Sequence, residues 1–359
     1  MKLKRKYLLM SMLLIVIVAL TACGGNDSAN NEKKEDNSQS GGLDSSVTLR
    51  MLEPGGESGN YVEHGFINAF TEKTGIKVER ESPTSLGKLQ SVVKAGDTSY
   101  NLIEMSASNL EQAVGLGLVE ELDWDLINPD PIFDEAKHPY GVGYQYFNTV
   151  MAWQANNDKK PESWADFWDT KNFPGKRALP DWASFAIPLA LLADGVSPDE
   201  LYPIDLDRAF KKLEEIKDDV SIWWDTGGVP IQALVNGEVE YAAVWPATLI
   251  ADPQGLEFTF NQGLLKMAYF AVPKGAKNFE ETMAFLHELT KAENQAKAME
   301  IFPYPGPSLN LESTLSDGVA EQLITSDENY PKHVLDDPKW WNENADEVNK
   351  RWQEFQLNR

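Results

Sequence analysis

Apolar segments with the spacing of strands alternate with amphipathic segments that have the spacing of helices along the first third of the chain. Residues 47–52 predict a strand, and a helix that starts at Asn60 is predicted to carry Val62, Phe66 and Phe70 on one face and to end near Gly75. The alternation continues with a strand from Ile76, a helix over 86–95 and a strand over 100–105. Short connections between such elements indicate parallel βαβ units, in which ligands bind at the carboxyl ends of the strands.

The middle and the end of the chain predict further elements around one long extended segment. Residues 144–155 are apolar, and Tyr146–Trp153 lacks glycine and proline, as expected of a stiff strand that crosses between two halves of a fold. The other predicted elements are a buried strand over 240–245 and helices over 162–169, 205–218, 280–289, 292–299 and from Asn344. The last helix places Val348, Trp352 and Phe355 on one face, which favours packing over a partner site.

The first 46 residues have the pattern of a secretion signal and a spacer. A cationic start is followed by an apolar run from Leu8 to Leu20, which as a helix reaches about 20 Å against a hydrocarbon core of about 30 Å. Leu-Thr-Ala-Cys23 then resembles the bacterial lipobox, which implies a signal peptide over 1–22, cleavage before Cys23 and a lipid on its sulfur. Residues 24–46 contain Leu43 as their single large apolar side chain, so residues 23–46 are predicted to be a flexible tether.

Composition narrows the classes of partner and cofactor. Cys23 is the only cysteine, and the four histidines have no metal-ligand spacing, so neither a disulfide, a metal site nor a cofactor is predicted. The formal charge of −24 becomes −28 once the four basic residues of the signal are removed, and such a field repels nucleic acid. The roughly 310 residues after the tether exceed what one hydrophobic core usually holds, which predicts two lobes.

Seven stretches resemble, in order, the extracellular solute-binding proteins of ABC importers, and within them the type II group that includes polyamine- and GABA-binding receptors. They are Phe70–Val78, Leu122–Pro129, His138–Tyr144, Ser163–Leu179, Leu191–Lys217, Gly263–Asn278 and Asn349–Phe355. The resemblance implies a two-lobed α/β type II periplasmic-binding-protein fold, each lobe a mixed sheet flanked by helices, joined by hinge strands around a ligand cleft. Lobe 1 would comprise residues 47–145 and 266–307, lobe 2 residues 146–265, and helices over 308–359 would pack mainly on lobe 2.

The implied role is that of a monomeric receptor on the extracytoplasmic face of the cell membrane. A lipid anchor would hold it there, and it would capture a small solute and deliver it to the permease and ATPase subunits of an importer. An enzyme is a rival interpretation, but the sequence lacks a GxSxG elbow, a P-loop and a GxGxxG after a strand. A purely structural surface lipoprotein is a second rival, which failure to bind any small molecule would favour.

The ends of the first and third predicted strands supply the first candidate binding residues. Gly55 and Gly56 follow Glu53 and would let the backbone approach a ligand, and free amides at the start of the next helix favour an anionic group, although a plain turn is the alternative. Glu104 and Ser106 end the third strand, at the analogous place. Glu104 would either neutralise an ammonium group or cap a neighbouring helix.

The second lobe supplies a carboxylate and several aromatic side chains as candidates. Asp181 matches an amine-binding carboxylate of the polyamine receptors and is followed by Trp182; helix capping is its alternative role. Trp223 and Trp224 point to opposite faces of a strand, so one can fill the core while the other meets the cleft. Trp245 matches a cleft tryptophan of the family, and Tyr269 lies on the returning strand. Both would add aromatic faces for an ammonium group.

Two departures from the family pattern leave the solute open. Thr248 stands where GABA- and polyamine-type relatives usually carry arginine or serine, and Ala268 stands where an aspartate is common. Lys266 lies two residues earlier on the same strand. The best interpretation is a polyamine or a GABA-like amine or amino acid, and the alternative is an acidic or neutral solute such as a carboxylate, sugar or metal chelate.

Overall fold

A computed structural model describes residues 42–359 of the chain. The predicted signal peptide, Cys23 and the predicted tether up to residue 41 lie outside the described residues. Among the described residues, Leu43 packs against the core beside Val47, and the Asp44 amide donates a hydrogen bond to the Glu281 carboxylate at 3.2 Å.

The described residues contain ten strands that form one mixed sheet in the order β2-β1-β3-β9-β5-β8-β6-β7, with β10 paired to β9 and β4 to β5. The strands are β1 (Thr48–Leu52), β2 (Lys77–Glu81), β3 (Leu102–Ser106), β4 (Lys137–His138), β5 (Gly141–Gln154), β6 (Arg177–Pro180), β7 (Val220–Trp224), β8 (Tyr241–Val244), β9 (Leu256–Ala271) and β10 (His333–Leu335). β1 is parallel to β2 and β3, and β6 is parallel to β7 and β8. β9 and β5 are antiparallel to their neighbours β3 and β8.

Two long strands run through both halves of this sheet. β5 has 14 residues and β9 has 16, and they pair with each other from Gly141 opposite Ala271 to Gln154 opposite Leu256. Their register shifts between Gly143 and Gln145 and again after Thr149. One end of the pair carries β3 and β1, and the other end carries β8 and β6, so β5 and β9 are the crossing strands of the fold.

Helices cover both faces of the sheet. They are α1 (Gly56–Val62), α2 (Asn68–Thr74), α3 (Leu86–Lys94), α4 (Ala107–Gly115), α5 (Trp124–Ile127), α6 (Trp164–Trp168), α7 (Ala183–Ala193), α8 (Leu206–Ile216), α9 (Gly228–Val235), α10 (Ala247–Ala251), α11 (Phe279–Glu288), α12 (Ala292–Met299), α13 (Leu311–Thr314), α14 (Asp317–Ala320), α15 (Pro338–Glu343) and α16 (Ala345–Leu357). Short 3-10 turns occupy Asp134–Ala136, Pro198–Glu200 and Tyr330–Lys332.

Separate hydrophobic clusters lie at the two ends of the crossing strands. At the β1–β3 end, Phe66 and Phe270 are buried among the side chains of β1, α2 and α11. At the β6–β8 end, Trp164 and Leu213 are buried among α6, α7, α8 and α16. The amphipathic stripes read from the sequence, such as the one that includes Leu213 on α8, therefore face these clusters.

The first helical segment starts earlier than predicted and contains a wide turn. It begins at Gly56, because Gly55 adopts a φ of 84° that side chains with a Cβ rarely tolerate, and it ends at the left-handed Gly75 as predicted. A π-helical turn, Glu63–Ile67, separates α1 from α2. A Cβ on Gly65 would lie 2.4 Å from the Cβ of Ala298, so this turn lets the segment pack closely on α12.

The elements after β10 connect to several parts of the fold. α15 packs against α4, and the Trp341 indole donates a hydrogen bond to Asp336 at 2.8 Å. α16 packs against α7, with Trp352 and Phe355 buried in the same cluster as Phe210. The assignment of residues 308–359 mainly to lobe 2, and the other lobe boundaries, stay predictions.

Candidate functional site

A cavity of about 490 Å³ lies where the two halves of the sheet meet. The first turns of α4 and α7 face it, and Phe147 of β5 and Lys266 of β9 form its floor. Residues from α15 and α16 close one side, among them Trp341 and Gln356. Helix starts, crossing strands and C-terminal helices therefore contribute to a single space.

Two helix N-termini line this cavity. The Ser106 hydroxyl caps α4 by accepting a hydrogen bond from the Asn109 amide at 3.3 Å. α7 follows Trp182, whose side chain caps nothing, so the first amides of α7, those of Ala183 and Ser184, have no intrahelical partner. The positive ends of both helix dipoles thus point at the same volume, which favours a negatively charged group there.

Lys266 adds a buried positive charge to the floor of the cavity. Its ammonium donates to Asp336 Oδ2 at 2.7 Å and lies 4.8 Å from the centre of the Phe185 ring. The Lys266 and Asp336 side chains are 9% and 8% exposed, and the Tyr202 hydroxyl and the Trp341 indole donate to Asp336 Oδ1. Because an ammonium has three N–H donors, the Asp336 contact fixes its position and leaves donors for a ligand.

A group of tryptophans forms the adjoining wall. Trp182 stacks on Trp245 with 5.8 Å between ring centroids and 11° between planes, and Trp224 meets both rings edge-on. The indole nitrogens of Trp224 and Trp245 are buried and have no hydrogen-bond partner among the described residues. Phe147 contacts the edge of Trp245 from the crossing strand. Of the three tryptophan rings, Trp182 lines the cavity, and Trp224 and Trp245 support it from behind.

Asp181 and Trp223 both contact other side chains of the protein. Asp181 lines the cavity, but its Oδ1 accepts from Gln356 at 2.8 Å and its Oδ2 from Arg359 at 2.6 Å. Trp223 points to the opposite face from Trp224, as expected on a strand, and there it packs against α16 through Trp352. Trp223 does not line the cavity, while Trp224 lies behind Trp182.

Glu53, which follows β1, and Glu104, which lies within β3, form a separate acidic cluster. Glu53 is buried, accepts a hydrogen bond from the Gly55 amide and lies 3.5 Å from Arg80 Nε. Glu104 is 9% exposed, and burial together with the nearby Glu53 charge raises its pKa to about 8. Within the described residues the Glu104 carboxyl accepts no hydrogen bond, so a protonated Glu104 is the stable form at neutral pH.

Tyr269 belongs to a smaller neighbouring cavity of about 210 Å³. Its hydroxyl donates to the Glu135 carbonyl at 2.7 Å, and burial raises the Tyr269 pKa above its usual value. Lys266 and Asp336 also line this cavity, so the ion pair stands between the two spaces.

The structure brings three of the eleven candidates to the main cavity, namely Ser106, Asp181 and Trp182. Sequence reasoning missed Phe147, Asp336 and Trp341 as cavity residues. The apolar pattern of β5 did mark Phe147 as part of a crossing strand, but the sequence contained no signal that would join Asp336 to Lys266.

Residues 42–359 show neither a cluster of metal ligands nor a helix that could span a membrane. Within that range no group of three or more histidine, cysteine, aspartate or glutamate side chains could hold a metal ion. None of the helices described there is both long and apolar enough to cross a membrane.

Comparisons with known proteins agree on one family. Residues 65–331 match the family of bacterial extracellular solute-binding proteins. A GABA-binding protein of Pseudomonas aeruginosa is 28% identical over 318 residues, covering 86% of this chain and 90% of its own length. A spermidine/putrescine-binding periplasmic protein of Escherichia coli is 24% identical over 277 residues, covering 72% of this chain and 78% of its own.

A solved structure shows the same fold. An ABC transporter substrate-binding protein from Bradyrhizobium japonicum superposes with a TM-score of 0.81 at 30% identity, covering 86% of this chain and 99% of that one. This match confirms the predicted two-lobed α/β fold of type II periplasmic binding proteins, and the relatives are transport proteins rather than enzymes. The chain belongs to the bacterial extracellular solute-binding protein family and is a solute-binding component of an ABC transporter.

Proposed function

We propose that this receptor captures a small solute that carries both a carboxylate and an ammonium group, as a GABA-like amino acid does. The observation that supports this choice best is the placement of Lys266 and two helix N-termini around one cavity that also has a tryptophan wall. Lys266 and the helix N-termini would bind the carboxylate of the solute, and the tryptophan wall would face its ammonium group.

The carboxylate end of the solute lies against the first turns of α4 and α7. The unpartnered amides of Ala183 and Ser184 donate to it, and the Lys266 ammonium, whose charge is balanced by Asp336, donates through its remaining N–H groups. Because Asp336 holds that ammonium at 2.7 Å, Lys266 needs little reordering when the solute arrives.

The ammonium end lies against an aromatic ring. Trp182, which lines the cavity and has Trp245 stacked behind it, offers a cation–π contact of about 0.5–2 kcal/mol. A polyamine would use this end alone and leave Lys266 facing a second positive charge, so the amino acid is the better fit.

Calorimetry with GABA, putrescine and succinate tests this assignment. We expect GABA to bind, and Lys266→Ala to weaken it at least about tenfold by removing one charged contact. Lys274→Ala is the matched control, since Lys274 is an exposed lysine that pairs with Glu120 away from the cavity. Tight putrescine binding that Lys266→Ala improves would refute the amino-acid assignment, and we expect no turnover of any bound solute.

Solute binding would close the two lobes about β5 and β9. The lobes in this proposal are residues 47–145 with 266–307, and residues 146–265. Hinge closure of this kind buries the ligand between lobes. We expect the solute to reduce the radius of gyration in solution scattering and to quench tryptophan fluorescence, and binding that changes neither would contradict closure.

The receptor would be a monomer tethered to the extracytoplasmic face of the membrane through lipid on Cys23. The proposal is motivated by the lipobox at 20–23 and the polar spacer after it. Two or more acyl chains give stable attachment, whereas a single chain holds only marginally. Cys23→Ser is expected to abolish lipid labelling and release the protein or leave it unprocessed; a variant that is still labelled and retained would disprove the anchor.

A further inference from the structure

The carboxylate of Asp181, which lines the cavity, is hydrogen-bonded to two side chains from the last residues of the chain. Gln356 Nε2 donates to Oδ1 at 2.8 Å, and the Arg359 guanidinium donates to Oδ2 at 2.6 Å. Gln356 lines the cavity together with Asp181, whereas Arg359 does not. The side chains of Asp181 and Arg359 are 24% and 14% exposed, so this ion pair is largely shielded from water.

Arg359 is itself held in place by aromatic rings. Its guanidinium lies 4.3 Å from the centre of the Trp223 ring and 6.0 Å from that of Trp352. Trp223 is packed in turn against Phe355 of α16, and Lys217 donates to the Asn358 carbonyl at 2.9 Å. Trp223 therefore serves the site through Arg359, because stacking fixes the guanidinium where Asp181 needs it.

The pairing changes the charge that a solute meets. A free Asp181 carboxylate at the start of α7 would attract a second ammonium group of a diamine. With Arg359 bound to it, the Asp181 charge is compensated, and both oxygens already accept hydrogen bonds. Lys266 is likewise paired, with Asp336, so the groups of the same cavity that keep free N–H donors are the helix amides and the Lys266 ammonium, and these favour a carboxylate.

We propose that Arg359 is a specificity-determining residue: by neutralising Asp181 from behind the cavity wall, it makes the receptor discriminate against diamines and polyamines in favour of solutes with a carboxylate. This inference rests on the proposed use of the cavity between α4 and α7. It assigns Arg359 no direct contact with the solute.

The test is a set of binding titrations with putrescine and GABA on the full-length protein. The variants are Arg359→Gln, Asp181→Asn and the double variant. We expect Arg359→Gln to bind putrescine at least about tenfold more tightly than the wild type does, because one charged contact becomes available. Asp181→Asn should hardly change putrescine binding in the wild-type background and should abolish the gain in the Arg359→Gln background.

Two further variants separate this effect from damage to α16. Arg351→Gln removes an arginine within α16, which pairs with Asp207 at 2.7 Å, and should leave the ratio of putrescine to GABA affinity unchanged. Arg359→Lys keeps the charge and should keep most of the wild-type preference. Thermal denaturation of every variant shows whether the fold is intact.

The outcomes distinguish this inference from the proposed function. If GABA binds in a Lys266-dependent way but Arg359→Gln brings no gain for putrescine, the proposed function stands and the role of Arg359 is refuted. If wild-type protein binds putrescine and loses it in Asp181→Asn, the role of Arg359 is likewise refuted. If GABA does not bind at all but Arg359→Gln gains Asp181-dependent putrescine binding, the amino-acid assignment falls and the role of Arg359 stands.

Discussion

Replacing Glu104 by glutamine should remove a large pH dependence from the stability of this receptor. Glu104 is 9% exposed, and its carboxyl accepts no hydrogen bond within the described residues. Burial and the adjacent Glu53 charge raise its pKa from 4.5 to about 8 in the folded protein. Glutamine has nearly the same size and cannot ionise, so the substitution isolates the titration from the packing.

The magnitude and the sign follow from the two pKa values. Below about pH 4.5 the carboxyl is protonated in both the folded and the unfolded chain, and its contribution is most favourable. As the pH rises towards about 8, the unfolded chain releases the proton while the folded chain keeps it, so the free energy of unfolding falls. Between pH 5 and pH 7 the loss amounts to about 2.5 kcal/mol.

Urea denaturation followed by tryptophan fluorescence, at pH 5 and pH 7 and constant ionic strength, measures this loss. The difference in unfolding free energy between wild type and Glu104→Gln should change by about 2.5 kcal/mol between the two pH values, with the variant gaining at pH 7. Glu72→Gln, an exposed substitution on α2, should follow the wild type at both pH values. Parallel curves for wild type and Glu104→Gln would refute the reasoning, because they would mean that Glu104 ionises normally.

Three other perturbations test the packing around the site. Burial lowers the His333 pKa from 6.5 to about 4. In urea titrations, the unfolding free energy of wild type relative to His333→Gln should therefore fall by about 2 kcal/mol from pH 7 to pH 5. Asp336→Asn should lower the unfolding free energy by about 3–5 kcal/mol in the same assay, because it leaves the buried Lys266 ammonium without its charged partner. Adding Lys266→Met should recover part of this loss, and strictly additive losses would contradict the pairing. Gly65→Ala should lower stability by about 1–3 kcal/mol in thermal or urea unfolding, since its Cβ would meet Ala298, while Gly87→Ala on α3, where a Cβ meets nothing within 4 Å, should not.

Elements whose signal is local could be predicted from the sequence. The apolar stripe of α8 and the apolar run of β5 can each be recognised within about a dozen residues of sequence. In the structure both elements begin and end close to the predicted residues. The π-helical turn at Glu63–Ile67 could not be predicted, because it depends on how closely Gly65 approaches α12, far along the chain. β10 is three residues long and exists through its pairing with β9, so its own sequence carries little signal.

The candidate site divides in the same way. The position of Trp182 at the start of α7 follows from strand and helix patterns that the sequence contains, and the structure places it at the cavity. Asp181 was identified as a carboxylate near the cleft, but its pairing with Arg359, 178 residues away, has no local signature. The same holds for Lys266 and Asp336, which meet only because β10 pairs with β9. Residue types can be read from a sequence, whereas charge compensation depends on tertiary partners.

The position of β9 between β3 and β5 has a consequence for the order in which the chain is made. β3 leaves the ribosome early, but Glu104 and its neighbours must wait for Phe270 before that edge of the sheet is paired. At a translation rate of about 5–20 residues per second, the delay is roughly 10 to 30 seconds. During that time the nascent N-terminal half has an open edge and an incomplete core. A precursor in this state could still be threaded through an export channel, as the signal peptide predicted over residues 1–22 would require.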